Sequence, residues 1–210
     1  MKQLTFPIIS LITDSLVYKN RDKMINNISE ATSYGINMIQ IREKYLSNEN
    51  KKKLIQRIKL TANNKTIIMI NDDYELCKIG NLDGVHLPEK KIHNVKKIKS
   101  MLNDGQFIGC SIHSMQSAIL AEKLGANYLQ FGSVFTTKSH PTIKPLGIKE
   151  LKKITSKVKI PIVAVGGINE KNCLIPLKNG AKGIASIRSF SDQELSKKIL
   201  AKLNDGEILC

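Results

Sequence analysis

The segment Pro161-Ile162-Val163-Ala164-Val165-Gly166-Gly167 is a short apolar run that stops at two adjacent glycines. A run that is apolar at every position is typical of a parallel strand with both faces covered. Ile67–Ile70 has the same character, and further short runs recur along the chain. The predicted strands are Ile8–Thr13, Met38–Arg42, Thr66–Asn71, Gly84–Leu87, Phe107–Ser111, Tyr128–Gly132, Pro161–Val165 and Gly183–Ile187.

Amphipathic stretches lie between these strands, and several of them end at a glycine, which closes a helix without strain. The predicted helices include Met24–Tyr34, Asn50–Ala62, Met115–Leu124 and Asn169–Asn179. Eight strands with intervening helices predict an α/β fold of the (β/α)₈ TIM-barrel type, with residues 1–210 as a single domain. An open doubly wound sheet is the alternative. Such a sheet should have a glycine-rich turn after its first strand, and Thr13-Asp14-Ser15 contains no glycine.

The chain has 33 Lys and Arg residues against 18 Asp and Glu residues, a formal charge of +15. This charge is compatible with nucleic acid, a membrane surface or an anionic substrate as partner. Most lysines alternate with Ile and Leu at helical spacing, which is typical of a solvated helix face, and no cluster of aromatic and basic residues suits base stacking. We therefore expect no nucleic-acid partner. The sequence has no signal-peptide h-region and no apolar run near ~20 residues, so we expect a cytoplasmic protein without a membrane partner.

Polar residues follow the predicted strands, at the end of the barrel where chemistry is located in this fold. Gln40 and Arg42 share one side of the second strand, and we predict that this side faces the lumen. There they would be costly unless they bind a polar or anionic group; a salt bridge between Arg42 and a carboxylate is the alternative. After the third strand, Asp72 suits a Mg²⁺ ion that also contacts substrate phosphate. Alternatively, Asp72 or Asp73 caps the following helix.

Three later segments also carry candidate groups. His113, after the fifth strand, is either catalytic or structural. The polar stretch Thr136–Pro145 is predicted to be a mobile active-site loop that contacts phosphate. Gly166-Gly167 exposes backbone N–H groups after the seventh strand, and a helix predicted to start near Ser189 directs its positive end to the same point. The last two loops are therefore predicted to form a phosphate site.

An ordered set of motifs over nearly the whole chain resembles the thiamine-phosphate synthase family, which includes the TenI-type thiazole tautomerases. The resemblance is specific for the superfamily and separates its branches less well. The motifs are Leu-Ile-Thr-Asp at 11–14, Gln-Ile-Arg-Glu-Lys at 40–44, Ile-Asn-Asp-Asp at 70–73, Asp-Gly-Val-His-Leu at 83–87, Gly-Cys-Ser-Ile-His-Ser at 109–114, Gly-Ala-Asn-Tyr at 125–128, Phe-Gly-Ser-Val-Phe-Thr-Thr at 131–137, Pro-Leu-Gly at 145–147 and Val-Gly-Gly-Ile at 165–168.

The resemblance implies a transferase of thiamine biosynthesis. Such an enzyme joins hydroxymethylpyrimidine pyrophosphate to thiazole phosphate and releases pyrophosphate. Its partners are small phosphorylated substrates, and its cofactor is Mg²⁺ bound at Asp72. A homo-oligomeric state is compatible with the resemblance. The implied substrate-binding residues are Gln40, Arg42, Lys44, Asn71, Ser111, Thr137, Ser139, Gly167, Ile187 and Arg188. The implied catalytic residues are Arg42, Lys44, Ser111 and His140.

Three positions depart from the synthase pattern. Lys91 stands where synthases usually have a second Mg²⁺-binding Asp. Either Glu89 takes over that role, or Lys91 contacts the pyrophosphate directly. His140 replaces a usual Lys and is a weaker, pH-dependent cation. Arg188 replaces a small hydroxyl residue and would strengthen phosphate binding through a bidentate contact.

The chain combines features of both branches of the family, and the tautomerase branch accounts for part of them. Its members often have Leu-Pro after the fourth strand, as at Leu87-Pro88, but their catalytic His falls where this chain has Ser133. The residues from Gln40 to Lys44 resemble the synthases. A tautomerase, a divergent paralogue with another phosphorylated ligand and a catalytically inert barrel therefore stay open as alternatives.

Overall fold

Eight parallel strands close into a barrel in sequence order in this computed structural model. The strands are β1 (Ile8–Ile12), β2 (Met38–Ile41), β3 (Ile67–Asn71), β4 (Gly84–Leu87), β5 (Phe107–Ile112), β6 (Tyr128–Phe131), β7 (Ile162–Val165) and β8 (Gly183–Ser186). Pairing of β1 with β8, with Ile8 opposite Gly183, completes the ring. The structure describes residues 2–18, 20–138, 142 and 144–204. The predicted (β/α)₈ barrel is confirmed, and the open-sheet alternative is wrong.

Helices surround the barrel and cover it with their apolar faces. They are α1 (Ser15–Tyr18), α2 (Arg21–Ser33), α3 (Asn48–Thr61), α4 (Tyr74–Ile79), α5 (Val95–Lys99), α6 (Met115–Leu124), α7 (Gly147–Thr155), α8 (Leu174–Lys178), α9 (Arg188–Ser191) and α10 (Gln193–Asn204), with a 3₁₀ helix at Glu89–Asn94. In α3, for example, Leu54, Ile55 and Ile58 are buried while most of its lysines are exposed. This is the solvated-face arrangement that the lysine spacing predicts. Within the described residues, no helix combines the length and apolarity needed to cross a membrane.

The predicted helix Asn169–Asn179 is wrong over its first half, because α8 begins only at Leu174. The Asn169 N–H donates to Asn172 Oδ1 at 2.8 Å, and Asn172 Nδ2 donates to the Gly167 carbonyl at 2.9 Å. Bonds of this kind between Asn side chains and the backbone compete with helical bonds. They form a turn after β7 instead of a first helical turn.

The barrel lumen has an apolar layer and a polar layer. Ile8, Met38, Met69, Tyr128 and Val163 belong to a buried cluster in the lumen that is separate from the larger core between strands and helices. Because the side-chain period of a strand is two, the residues that follow Met38, Met69 and Tyr128 on the same face are Gln40, Asn71 and Gln130, whereas Val163 is followed by the apolar Val165. The polar layer therefore lies at the carboxyl ends of the strands, where the predicted site residues are located.

Candidate active site

A chain of side-chain amides crosses the lumen in its polar layer. Gln130 Nε2 donates to Gln40 Oε1 at 3.2 Å, and Gln40 Nε2 donates to Asn71 Oδ1 at 3.0 Å. Gln40 is 2% exposed and Gln130 is 5% exposed. Buried amides are costly unless they are hydrogen-bonded, so this relay fixes the three side chains relative to one another. Asn71 is less buried than the glutamines and keeps its Nδ2 group as a donor at the cavity wall.

A second polar set holds Ser111. The His86 ring is fully buried, with Nδ1 3.0 Å from Tyr128 Oη and Nε2 2.9 Å from Ser111 Oγ. Burial lowers the pKa of His86 to about 3, so the ring is neutral near pH 7. A neutral imidazole offers one donor and one acceptor. His86 therefore links Tyr128 to Ser111 and holds the Ser111 hydroxyl at the cavity wall.

Both sets border one cavity of about 710 Å³ at the carboxyl ends of the strands. A volume of this size suits a small-molecule substrate. The predicted residues that line this cavity are Gln40, Arg42, Asn71, Ser111, Thr137, Gly167, Ile187 and Arg188. The structure thus brings together side chains from five strand ends and the loop after β6.

The charge of this cavity is positive. Arg42, Lys138 and Arg188 line it, and no described residue of its lining is an Asp or a Glu. Cations grouped in a concave site whose own lining holds no carboxylate favour an anionic ligand. The cavity is therefore suited to phosphate or pyrophosphate.

Arg42 also has a carboxylate partner, as the alternative prediction proposed, but the contact is long. Its Nη1 lies 3.9 Å from Asp14 Oδ2, while its backbone N–H donates to Thr13 Oγ1 at 3.1 Å. The loose pairing leaves guanidinium donors for a ligand. Lys44, in contrast, does not line the main cavity. It borders an adjoining cleft of about 290 Å³ that shares Arg42 and Arg188 with the cavity.

The two glycines after β7 allow two loops to approach closely. Gly166 has φ +96° and Gly167 has φ +69°, a backbone region that favours glycine. A Cβ atom on Gly167 would lie 2.4 Å from the Thr136 carbonyl oxygen, and one on Gly166 would lie 2.6 Å from the Ser133 backbone. The loop after β6 therefore packs directly on the glycine turn, and this brings Thr137 to the same wall of the cavity.

The loops after β7 and β8 are also joined. Ser189 Oγ donates to the Ile168 carbonyl at 2.5 Å, and the Ser189 N–H donates to Ser186 Oγ at 3.1 Å. Helix α9 begins at Arg188, close to the predicted start near Ser189. The last two loops thus form one continuous wall, and the phosphate site that the sequence predicts there stays a prediction.

The two aspartates after β3 have different surroundings. Asp73 is the N-cap of α4, where its Oδ1 accepts the Leu76 N–H at 3.0 Å, so the capping prediction is confirmed for Asp73. Asp72 has φ +59°, and its N–H donates to the His86 carbonyl at 2.8 Å. Its side chain forms an ion pair with Lys91, whose Nζ lies 2.8 Å from Asp72 Oδ1. Asp72 borders a cleft next to the main cavity rather than the cavity itself.

The donor set around Asp72 does not fit a ready-made Mg²⁺ site. Mg²⁺ takes oxygen ligands in an octahedral arrangement, but the nearest charged contact of Asp72 is a cation. Glu89, the suggested substitute, accepts the His113 N–H at 2.9 Å and lies 2.8 Å from His113 Nδ1. Among the described residues, no three His, Cys, Asp or Glu side chains gather as a metal-binding group. Mg²⁺ at Asp72 stays a prediction, and no chemical step is assigned to a metal.

Two predicted residues, Ser139 and His140, lie outside the described residues, so their roles stay predictions. In the other direction, the sequence analysis missed His86, Tyr128 and Gln130 as site residues. The signal was present in the period of two along β4 and β6, which places His86 and Gln130 on the lumen side of their strands.

Comparisons with known proteins agree with this geometry. Residues 9–190 match the family model described as thiamine monophosphate synthase. A thiamine-phosphate synthase of Clostridium acetobutylicum is 34% identical over 190 residues, which cover 90% of this chain and 89% of that protein. A thiamine-phosphate synthase of Fusobacterium nucleatum is 30% identical, with 93% of this chain and 94% of that protein covered. The solved thiamine phosphate pyrophosphorylase of Pyrococcus furiosus superposes with a TM-score of 0.81 at 28% identity, and the match covers 94% of this chain and 96% of that one.

Proposed function

Because the chain belongs to the thiamine monophosphate synthase family, we propose that its cavity joins hydroxymethylpyrimidine pyrophosphate to thiazole phosphate and releases pyrophosphate. Such an enzyme is a transferase of thiamine biosynthesis. The observation that supports this reaction most strongly is the convergence of Gln40, Asn71, Ser111 and Arg42 on one cavity that lacks acidic side chains in its described lining. An amide-lined floor below a cationic mouth suits a substrate with a polar ring and a pyrophosphate.

The floor of the cavity would receive the pyrimidine. A pyrimidine ring with nitrogen atoms and an amino group needs donors and acceptors, and the relay from Gln130 through Gln40 to Asn71 supplies both. The Ser111 hydroxyl, held by His86, adds a further group at the same depth. Since these side chains are fixed by one another, they need little reorganisation when the ring binds.

The cations of the mouth would stabilise the leaving group. In the reaction, the bond between the pyrimidine methylene carbon and pyrophosphate oxygen breaks, and the electron pair leaves with pyrophosphate. The thiazole nitrogen then donates its lone pair to the same carbon and becomes a thiazolium cation. No proton has to be removed from the nucleophile, so the protein mainly has to stabilise charge. Arg42, Lys138 and Arg188 are the cations of the cavity that would do so.

The wall formed by the last two loops would hold the thiazole phosphate. Gly167 brings the backbone close to Thr136, and Arg188 stands at the start of α9 on the same wall. Planar guanidinium groups bind phosphate through two parallel hydrogen bonds. In this proposal, the two substrates would lie side by side, with the pyrimidine below and the thiazole phosphate at the wall.

The tautomerase alternative has less support from the site. That reaction needs a proton-transfer group, and the position of the expected His carries Ser133, which lines the cavity but does not titrate near pH 7. His113 also lines the cavity, yet its ring is paired with Glu89 at 2.8 Å. A cytoplasmic location and a homo-oligomer stay predictions.

The direct test is to supply the purified protein with both substrates, with and without Mg²⁺, and to measure thiamine phosphate by mass spectrometry. Gln40→Leu breaks the relay, and we expect kcat/KM to fall about 10- to 100-fold, as for loss of one or two buried polar contacts. Gln56→Leu, at an exposed position of α3, is the matched control and should behave like wild type. Absence of product under both metal conditions would reject the function.

A further inference from the structure

The ion pair between Lys91 and Asp72 lies at the edge of the candidate active site. The Asp72 carboxylate is held there by its backbone, because its N–H donates to the His86 carbonyl at the end of β4. Its φ of +59° is sparsely populated by residues other than glycine, a feature that is common at functional sites. The side chain of Asp72 is 28% exposed and that of Lys91 is 42% exposed, so both side chains are partly accessible to solvent.

Asp72 connects the ion pair to the cavity. It borders a cleft of about 200 Å³ together with Arg42 and Asn71, and these two residues also line the main cavity. Asp72 also borders a smaller cleft of about 150 Å³ with Lys91 and Lys97. A pyrophosphate bound by Arg42 at the rim would therefore be close to the carboxylate of Asp72. The two anions would repel each other, so a cation between them would be stabilising.

The other carboxylates near the rim have partners of their own. Asp73 caps α4 and lies 3.8 Å from Lys51 Nζ. Burial acts to raise the pKa of Glu89, but hydrogen bonds from Ser117 and His113 outweigh it and lower that pKa. Glu89 is thus a charged carboxylate that is directed to His113. Asp73 and Glu43 border the same cleft of about 200 Å³ as Asp72. Asp73 is engaged by the α4 cap and Lys51, and Glu43 accepts the Ser15 N–H at 3.1 Å.

We propose that the Lys91 ammonium takes the place of a metal ion between Asp72 and the pyrophosphate, so that this protein binds pyrophosphate without Mg²⁺. This inference rests on the proposed function. An ammonium has three N–H donors; one is used by Asp72, and two are left for phosphate oxygens. Lys91 contributes a fixed charge of +1 and a flexible stem, which lets the head remain paired with Asp72 while it contacts the ligand.

The test is calorimetric titration of the complete protein with inorganic pyrophosphate, once in EDTA and once in Mg²⁺. Wild type should bind in EDTA, with an affinity within about threefold of that in Mg²⁺. Lys91→Met keeps the stem and removes the charge, and we expect the affinity in EDTA to fall about 10- to 100-fold, the range for one hydrogen bond to a charged group. Lys90→Met, at the exposed neighbouring position, is the matched control and should bind like wild type.

Lys91→Asp provides an independent readout. It places a second carboxylate next to Asp72, so Mn²⁺ binding measured by electron paramagnetic resonance without any substrate should appear in this variant and not in wild type. Pyrophosphate binding by Lys91→Asp should then require a divalent ion. Thermal unfolding of each variant verifies the fold.

The outcomes separate this inference from the proposed function. If wild type binds pyrophosphate only with Mg²⁺, or if Lys91→Met binds as tightly as wild type in EDTA, the role of Lys91 is refuted while the synthase activity is retained. If wild type binds pyrophosphate under neither condition and forms no thiamine phosphate, both proposals fall together.

Discussion

His86 should make the stability of the fold depend on pH in a way that can be calculated. The ring is fully buried, and burial lowers its pKa from 6.5 to about 3. In the unfolded chain, the ring has its ordinary pKa. As the pH falls below about 6.5, the unfolded chain therefore takes up a proton that the folded protein does not, and the free energy of unfolding decreases.

The size of the decrease follows from the two pKa values. Between pH 7 and pH 4.5, proton uptake by the unfolded state alone lowers the free energy of unfolding by about 2.5 kcal/mol for this one group. Ending the titration at pH 4.5 keeps the folded-state ring neutral. A loss of this size is a large part of the usual stability of a domain, which is about 5–15 kcal/mol.

The assay is urea unfolding followed by circular dichroism at pH 7 and at pH 4.5. His86→Gln removes the titrating group and should lose about 2.5 kcal/mol less than wild type between the two pH values, whatever its stability at pH 7. Carboxylates contribute equally to both proteins and cancel in the comparison. His93→Gln, at an exposed position, should retain the full wild-type pH dependence. Equal pH dependence of His86→Gln and wild type would show that burial does not lower the pKa of His86.

Two further substitutions test other parts of the site. Arg42→Ala should weaken pyrophosphate binding about 10- to 100-fold in calorimetric titration, with little change in melting temperature. Arg57→Ala, at an exposed arginine of α3, is the control. Equal affinity of both variants would show that Arg42 does not belong to the anion site. Gly167→Ala and Gly147→Ala share the cost of a positive φ, but only the first meets a neighbouring atom, at 2.4 Å, whereas the space around Gly147 is open. Gly167→Ala should therefore lower the free energy of unfolding by at least about 1 kcal/mol more than Gly147→Ala, and equal losses in denaturant titrations would mean that the approach of the loops is not tight.

The barrel could be predicted from the sequence because its strands are covered on both faces. A segment such as Ile67–Ile70 must bury every side chain, and a repeated series of such segments separated by amphipathic helices has few other solutions. The bounds of α6 agree with the prediction at both ends, since Ser114 caps its start and Gly125 closes its end. The prediction failed at Asn169–Asn179, where side-chain amides form a turn that competes with the helix.

The grouping of the site residues could also be predicted, because the carboxyl ends of neighbouring parallel strands lie at the same end of the barrel. This prediction needs no information on side-chain conformation. The contacts of long side chains could not be predicted in this way. Lys44 borders an adjoining cleft, and Lys91 pairs with Asp72. Neither placement could be predicted, because the position of a long side chain depends on several torsions and on charges from distant parts of the chain. Strand periodicity would have revealed His86 and Gln130 if it had been applied to short strands with a single polar residue.

The two layers of the lumen explain why substitutions at the mouth can report on chemistry rather than on folding. Met38 lies in the apolar layer, and Gln40 and Arg42 follow it at intervals of two residues on the same face. The free energy of folding comes mainly from apolar burial, which is concentrated in the lower layer and in the core between strands and helices. The upper layer instead holds hydrogen-bonded amides and cations, whose net contribution to stability is about 1 kcal/mol each. A large loss of pyrophosphate affinity with only a small change in melting temperature is therefore the expected signature of a residue in the upper layer.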